Sequence, residues 1–235
     1  MKFAGKTISD IPAICLVAAN AIPLYGVAFA GWDAFSIVLL YWAENLIIGF
    51  YNVLKMAIFR TETPAGHLQK LFMIPFFILH YGGFCAGHGF FVLMLFGKKA
   101  EISSPGGSHL PFVFVFLELL FNVVRQMFAI VPTAFLFAFA SLFISHGISF
   151  VHNFIIKGEY LHINSSQLMG SPYGRIVVMH IAILGGAFLS KAVGSPVAIL
   201  IVLVILKTII DLKLHFREHK KFGQHRDIYK QADVE

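Results

Sequence analysis

The chain has 235 residues, of which 58% are hydrophobic and 13% charged, with a mean hydropathy of +0.79. Soluble domains are about 45–50% apolar and about 25% charged, so the composition excludes both a soluble globular protein and a disordered chain. It points to an all-α polytopic transmembrane bundle. The net charge of +6 does not imply nucleic-acid binding, because six of the eighteen Lys and Arg lie between Lys213 and Lys230. Next to a last apolar segment, such a tail marks the cytoplasmic side and meets anionic headgroups.

Apolar runs long enough to span, about 20 residues each, follow one another along the chain. The first, Ile8 to Ala30, follows Lys2 and Lys6 and ends in Ala28-Phe29-Ala30, the outline of a cleavable signal peptide. Asp10, Asn20 and Tyr25 inside it argue against cleavage. Ala34 to Phe59 is the second and Lys70 to Phe96 the third. Leu110 to Phe128 is the fourth, followed by Val131 to Ile156, Tyr173 to Ala192 and Pro196 to Glu218. Residues 1–218 read as one bundle and 219–235 as a basic cytoplasmic tail. Cys15 and Cys85 both sit in apolar runs, which supports neither a disulfide framework nor a cysteine zinc motif.

The fourth run sets the topology. Glu118, Asn122, Arg125 and Gln126 share one stripe of a helix, which suits an amphipathic helix at the outer interface. With that helix outside, six spans put thirteen Lys and Arg on the cytoplasmic side and four outside. Seven spans divide them ten against seven. The positive-inside rule therefore favours six spans over seven, with both termini cytoplasmic.

Ionisable groups within apolar helices are costly and mark function by default. Glu44 shares a helix face with Tyr41, Asn45 and Asn52. The third run carries His80 and His88, the fifth His146, Ser149, His152 and Asn153, and the sixth His180. Lys207, Asp211 and His215 form one stripe of the seventh. Taking each run's midpoint as the bilayer centre puts His80, His146 and His180 all about 4 Å to the cytoplasmic side of it. Asp211 falls beside that level, whereas His88 lies outward and His152 inward of it. Three imidazoles and a carboxylate make a ligand set for zinc or a related divalent metal. His80, His146, His180 and Asp211 are thus candidate ligands. Glu44 is a candidate general base, Lys207 an oxyanion partner, and Tyr41, Asn45, Ser149 and Asn153 supporting or substrate groups. Gly83 and Gly87 form a GxxxG, which implies close helix packing.

Tyr41-Trp42-Ala43-Glu44-Asn45, His80-Tyr81-Gly82-Gly83-Phe84, Ser145-His146-Gly147, Asn153-Phe154 and Pro172-Tyr173-Gly174-Arg175-Ile176, with His180, Lys207 and Asp211, occur in that order. Together they resemble the bacterial integral-membrane family catalogued as domain of unknown function 6498. The resemblance implies a bacterial inner-membrane location and supplies no activity. The expectation is a metal-dependent intramembrane hydrolase acting on a lipid-like substrate among membrane lipids. Non-covalent haem electron transfer, a proton-coupled transporter and a membrane scaffold are the alternatives.

Overall fold

The computed structural model describes residues 25, 26, 29, 31–61, 64–95 and 112–193. The seventh run, with Lys207 and Asp211, the basic tail and most of the first run lie outside them. Among the described residues every regular element is helical.

Helix α1, Ala34–Ile58, begins where Asp33 caps it. The Asp33 carboxylate accepts from the Ser36 amide at 2.9 Å and from the Ser36 hydroxyl at 2.6 Å, satisfying an amide that has no partner within the first turn. From Phe35 to Asn45 every residue is buried, which makes α1 the interior helix. Its last carbonyls are capped from outside. The Lys70 ammonium donates to Phe59 O at 2.5 Å and to Ala57 O at 3.2 Å, as a cation near a helix C-terminus should.

Helix α2, Pro64–Leu95, runs antiparallel to α1, since Phe59 meets Lys70, Asn45 meets Tyr81 and Trp42 meets Cys85. Helix α3, Phe112–Ile130, is the fourth apolar run displaced by two residues. Phe116 packs at Gly83, Leu120 at Gly82 and Val123 at Gly89, so α3 runs in the same direction as α2. It is no detached surface helix, because Val123 and Met127 are buried with Trp42, Val92 and Leu93.

Pro132 starts helix α4, Thr133–Ser149, which passes directly into a π-helical stretch, Phe150–Ile156. The wider turn is closed by Lys157 N–H donating to His152 O at 3.1 Å, and Gly158 ends it at φ +73°. α4 runs with α1: Glu44 meets His146, Tyr51 meets Phe150, and Arg60 meets Tyr160. Helix α5, Ser165–Val193, runs with α2, pairing Ser165 with Gln69, Tyr173 with His80, and His180 with His88. The Asn52 amide donates to Leu168 O at 3.0 Å, which locks α5 onto α1. Among the described residues three stretches, Phe35–Ile58, Pro64–Met94 and Thr133–Ile156, are long and apolar enough to cross a membrane.

The close helix approach is not at the GxxxG. A Cβ on Gly83 would stand 3.6 Å from the Phe116 ring, an ordinary contact, and one on Gly87 would meet nothing within 4 Å. At Gly89 it would fall 2.6 Å from Val123 and 2.7 Å from the Trp42 ring. Gly89→Ala should therefore lower stability by about 1–3 kcal/mol through overpacking. Gly87→Ala should leave it unchanged or raise it by up to about 1 kcal/mol through helix propensity. Thermal unfolding in detergent checks both, and a Gly89→Ala protein melting with the wild type would contradict the close approach.

Candidate ligand-binding site

The structure distributes the candidate residues over two places. His146 stands on Glu44, with Nε2 to Oε1 at 3.2 Å and the two side chains 13% and 2% exposed. His80 Nδ1 meets the Tyr173 hydroxyl at 2.6 Å. His180 Nδ1 meets His88 Nε2 at 2.6 Å. Thus the three imidazoles expected on one ion each take a different partner, and His88, expected off the site, belongs to it. Among the described residues no group of three His, Cys, Asp or Glu side chains is arranged to hold a metal.

The register of α5 on α2 accounts for the difference. His180 lies beside His88, eight residues beyond His80, or about 12 Å along the helix. α5 starts at Ser165, well before the apolar run begins at Tyr173. The midpoint of an apolar run therefore does not mark the level at which a helix packs. The His88–His180 distance is itself that of a hydrogen bond. Tetrahedral bonds of about 2.0–2.1 Å hold two ligand nitrogens about 3.3 Å apart, and two axial ligands of one iron stand about 4 Å apart.

The remaining candidates are built into the frame. Asn45 donates from its side chain to Tyr41 O at 2.8 Å, and its backbone carbonyl accepts from the Tyr81 hydroxyl at 2.9 Å. Asn153 donates to the Ser149 hydroxyl at 3.2 Å across the start of the π-helical stretch.

His80, His88 and His180 are the polar edge of a cavity of about 620 Å³ between α2, α3 and α5. That volume lies within the 300–1,000 Å³ of small-molecule sites. Leu79, Phe84, Phe91 and Phe116 form apolar walls, and Gly83 and Gly87 form the floor. The floor is open because Gly87 faces empty space rather than a helix. Each imidazole is held on one edge. His80 is stacked on Phe76, with ring centroids 5.2 Å apart, and bonded to Tyr173. His88 donates from Nδ1 to Phe84 O at 2.8 Å.

The Glu44–His146 pair faces the interior instead, between α1 and α4. A buried hydrogen bond contributes little net stability, yet removing one partner leaves the other unsatisfied and costs about 1–3 kcal/mol. Glu44→Leu should thus destabilise by about that amount, and adding His146→Leu should recover part of it. A double variant less stable than Glu44→Leu, read by thermal unfolding, would show that His146 does more than satisfy Glu44.

No curated protein and no solved structure matches the chain. The family model DUF6498, described as a family of unknown function, matches residues 3–227. With nearly its whole length matched, the chain belongs to this family.

Proposed function

We propose that this chain is a multi-pass protein of the bacterial inner membrane that binds a lipid-like amphipathic molecule in the cavity between α2, α3 and α5. The observation that carries this reading is the combination of apolar walls with three histidines as the polar groups. Phe84 and Phe91, at the cavity, are 44% and 59% exposed. On a helix that is apolar over a membrane thickness, such exposure suits contact with acyl chains. An elongated chain lies along the glycine floor, and its polar end meets an imidazole.

The topology of six spans with both termini cytoplasmic is supported by helix direction as well as charge. α1, α2, α4 and α5 alternate in direction as successive spans do. α3 runs with its predecessor α2 and fits no alternating series. Cysteines placed at Ser103 and Ser165, with Cys15 replaced by Ala, should label from the outer and the cytoplasmic side respectively. Labelling of both from one side would contradict six spans.

A diazirine-bearing hexadecanol, photolysed with the protein in nanodiscs, should label Phe84, Phe91 or Phe116. Gly87→Leu, whose Cβ meets nothing within 4 Å, puts a side chain into the floor and should clearly reduce that labelling by excluding the chain sterically. Its melting temperature should stay at the wild-type value. Uniform labelling of all exposed helix faces, unaffected by Gly87→Leu, would overturn the reading. So would efficient cysteine cross-linking of position 87 to the chain's own 196–218 segment, which would make that segment the occupant.

A further inference from the structure

The contacts of His88 and His180 define more than a polar edge, because a carbonyl oxygen only accepts hydrogen bonds. His88 Nδ1 lies 2.8 Å from Phe84 O, so Nδ1 carries the hydrogen. In the uncharged ring Nε2 is then a lone pair. His180 Nδ1, 2.6 Å away, must donate to it, and in uncharged His180 the hydrogen is absent from Nε2. The backbone carbonyl thereby sets the tautomer of one ring, and that ring sets the tautomer of the next. Free imidazole has no such constraint.

His80 is not constrained in this way. Its Nδ1 meets the Tyr173 hydroxyl at 2.6 Å, and a hydroxyl both donates and accepts, so this contact fits either tautomer of His80. The two stations are about 12 Å apart along α2, from the eight-residue spacing of His80 and His88. One headgroup therefore meets only one of them.

We infer that His180 Nε2 is a hydrogen-bond acceptor at the cavity, and that the molecule bound there carries a hydrogen-bond donor, a free hydroxyl or a protonated carboxyl, at its polar end. This inference rests on the lipid-binding reading of the cavity. An ether or ester at the same position supplies only acceptors, and two lone pairs would face each other. In an apolar surround an unmade hydrogen bond is not replaced by water, so the penalty is realised in full.

Two measurements test it on the intact protein in nanodiscs. First, nitrogen-15 NMR of histidine-labelled protein, assigned by single His substitutions, should show Nδ1–H with unprotonated Nε2 for both His88 and His180. His88→Leu should release His180 from that tautomer. Second, hexadecanol and its methyl ether should compete differently against the diazirine probe. The alcohol should compete about fivefold better, the ratio expected of one net hydrogen bond. That ratio should fall to about one in both variants, by a gain of the ether in His88→Leu, where released His180 can donate to it, and by a loss of the alcohol in His180→Phe. A variant that merely loosened the fold would weaken both competitors together. His180 found as Nε2–H, or alcohol and ether competing equally in the wild type, would overturn the inference and leave the cavity reading standing. Failure of both competitors would overturn the cavity reading and this inference with it.

Discussion

The fold depends on one contact, the indole of Trp42 on α1 set against α2. Its N–H donates to Cys85 O at 2.8 Å in a buried environment, and its ring occupies the space that a side chain at Gly89 would need. A bond from an indole to a helical carbonyl fixes both rotation and sliding of one helix on the other. With Trp42 seated, Tyr81 and Cys85 face α1, and Tyr81 bonds Asn45 O one turn away. The residues about 100° around α2 then face outward. His80, Phe84 and His88 are those residues. The register that buries Trp42 is thus what turns the histidines of α2 towards α5 and α3.

Two imidazole systems of different character result. Around His146 the surroundings are the protein's own: Glu44 opposite, and Tyr51 close above Gly147, where its hydroxyl would stand 2.6 Å from an added Cβ. That pair sits beside the passage from α-helix to π-helix, an irregularity that often accompanies functional positions. Around His80, His88 and His180 the partners occupy only one edge of each ring cluster, and the cavity lies on the other. What distinguishes the two places is the surroundings: His146 is 13% exposed against a buried carboxylate, whereas His80, His88 and His180 line the cavity.

Much of this was legible in the sequence and some was not. The apolar runs locate α1, α3 and α4 within a few residues, because continuous hydropathy is a local property. The identity of the important residues was also legible: Glu44, His80, His146 and His180 all make polar contacts between helices. Their grouping was not, because grouping depends on register, and register is set by Trp42 on Gly89 and by Asn52 on Leu168. A usable signal was nevertheless present. His80 and His88 are eight residues apart and Tyr173 and His180 seven, both close to two helical turns. Two polar ladders of equal pitch on two helices pair rung by rung when the helices run the same way. The GxxxG at Gly83 and Gly87 misled for a related reason, since small residues make a floor as well as a contact. The π-helical stretch, which turns Asn153 off the 100° progression of an α-helix, leaves no mark in hydropathy.

What the cavity would select for, on the lipid-binding reading we propose, follows from the solvent around it. In water, apolar walls would attract a chain at roughly 0.8 kcal/mol per buried methylene. In a bilayer that term nearly vanishes, because an acyl chain leaving the lipid exchanges one hydrocarbon surround for another. The aromatic walls therefore set shape and length, and they discriminate poorly among lipids that all carry similar tails. Polar contacts change in the opposite sense. With no water to take over a broken hydrogen bond, each donor and acceptor at the headgroup is either matched or penalised. On the lipid-binding reading we propose, selectivity is concentrated in the site's few nitrogens, so the tautomer that Phe84 would impose through His88 on His180 would carry more of the recognition than the four apolar side chains that make up most of the wall.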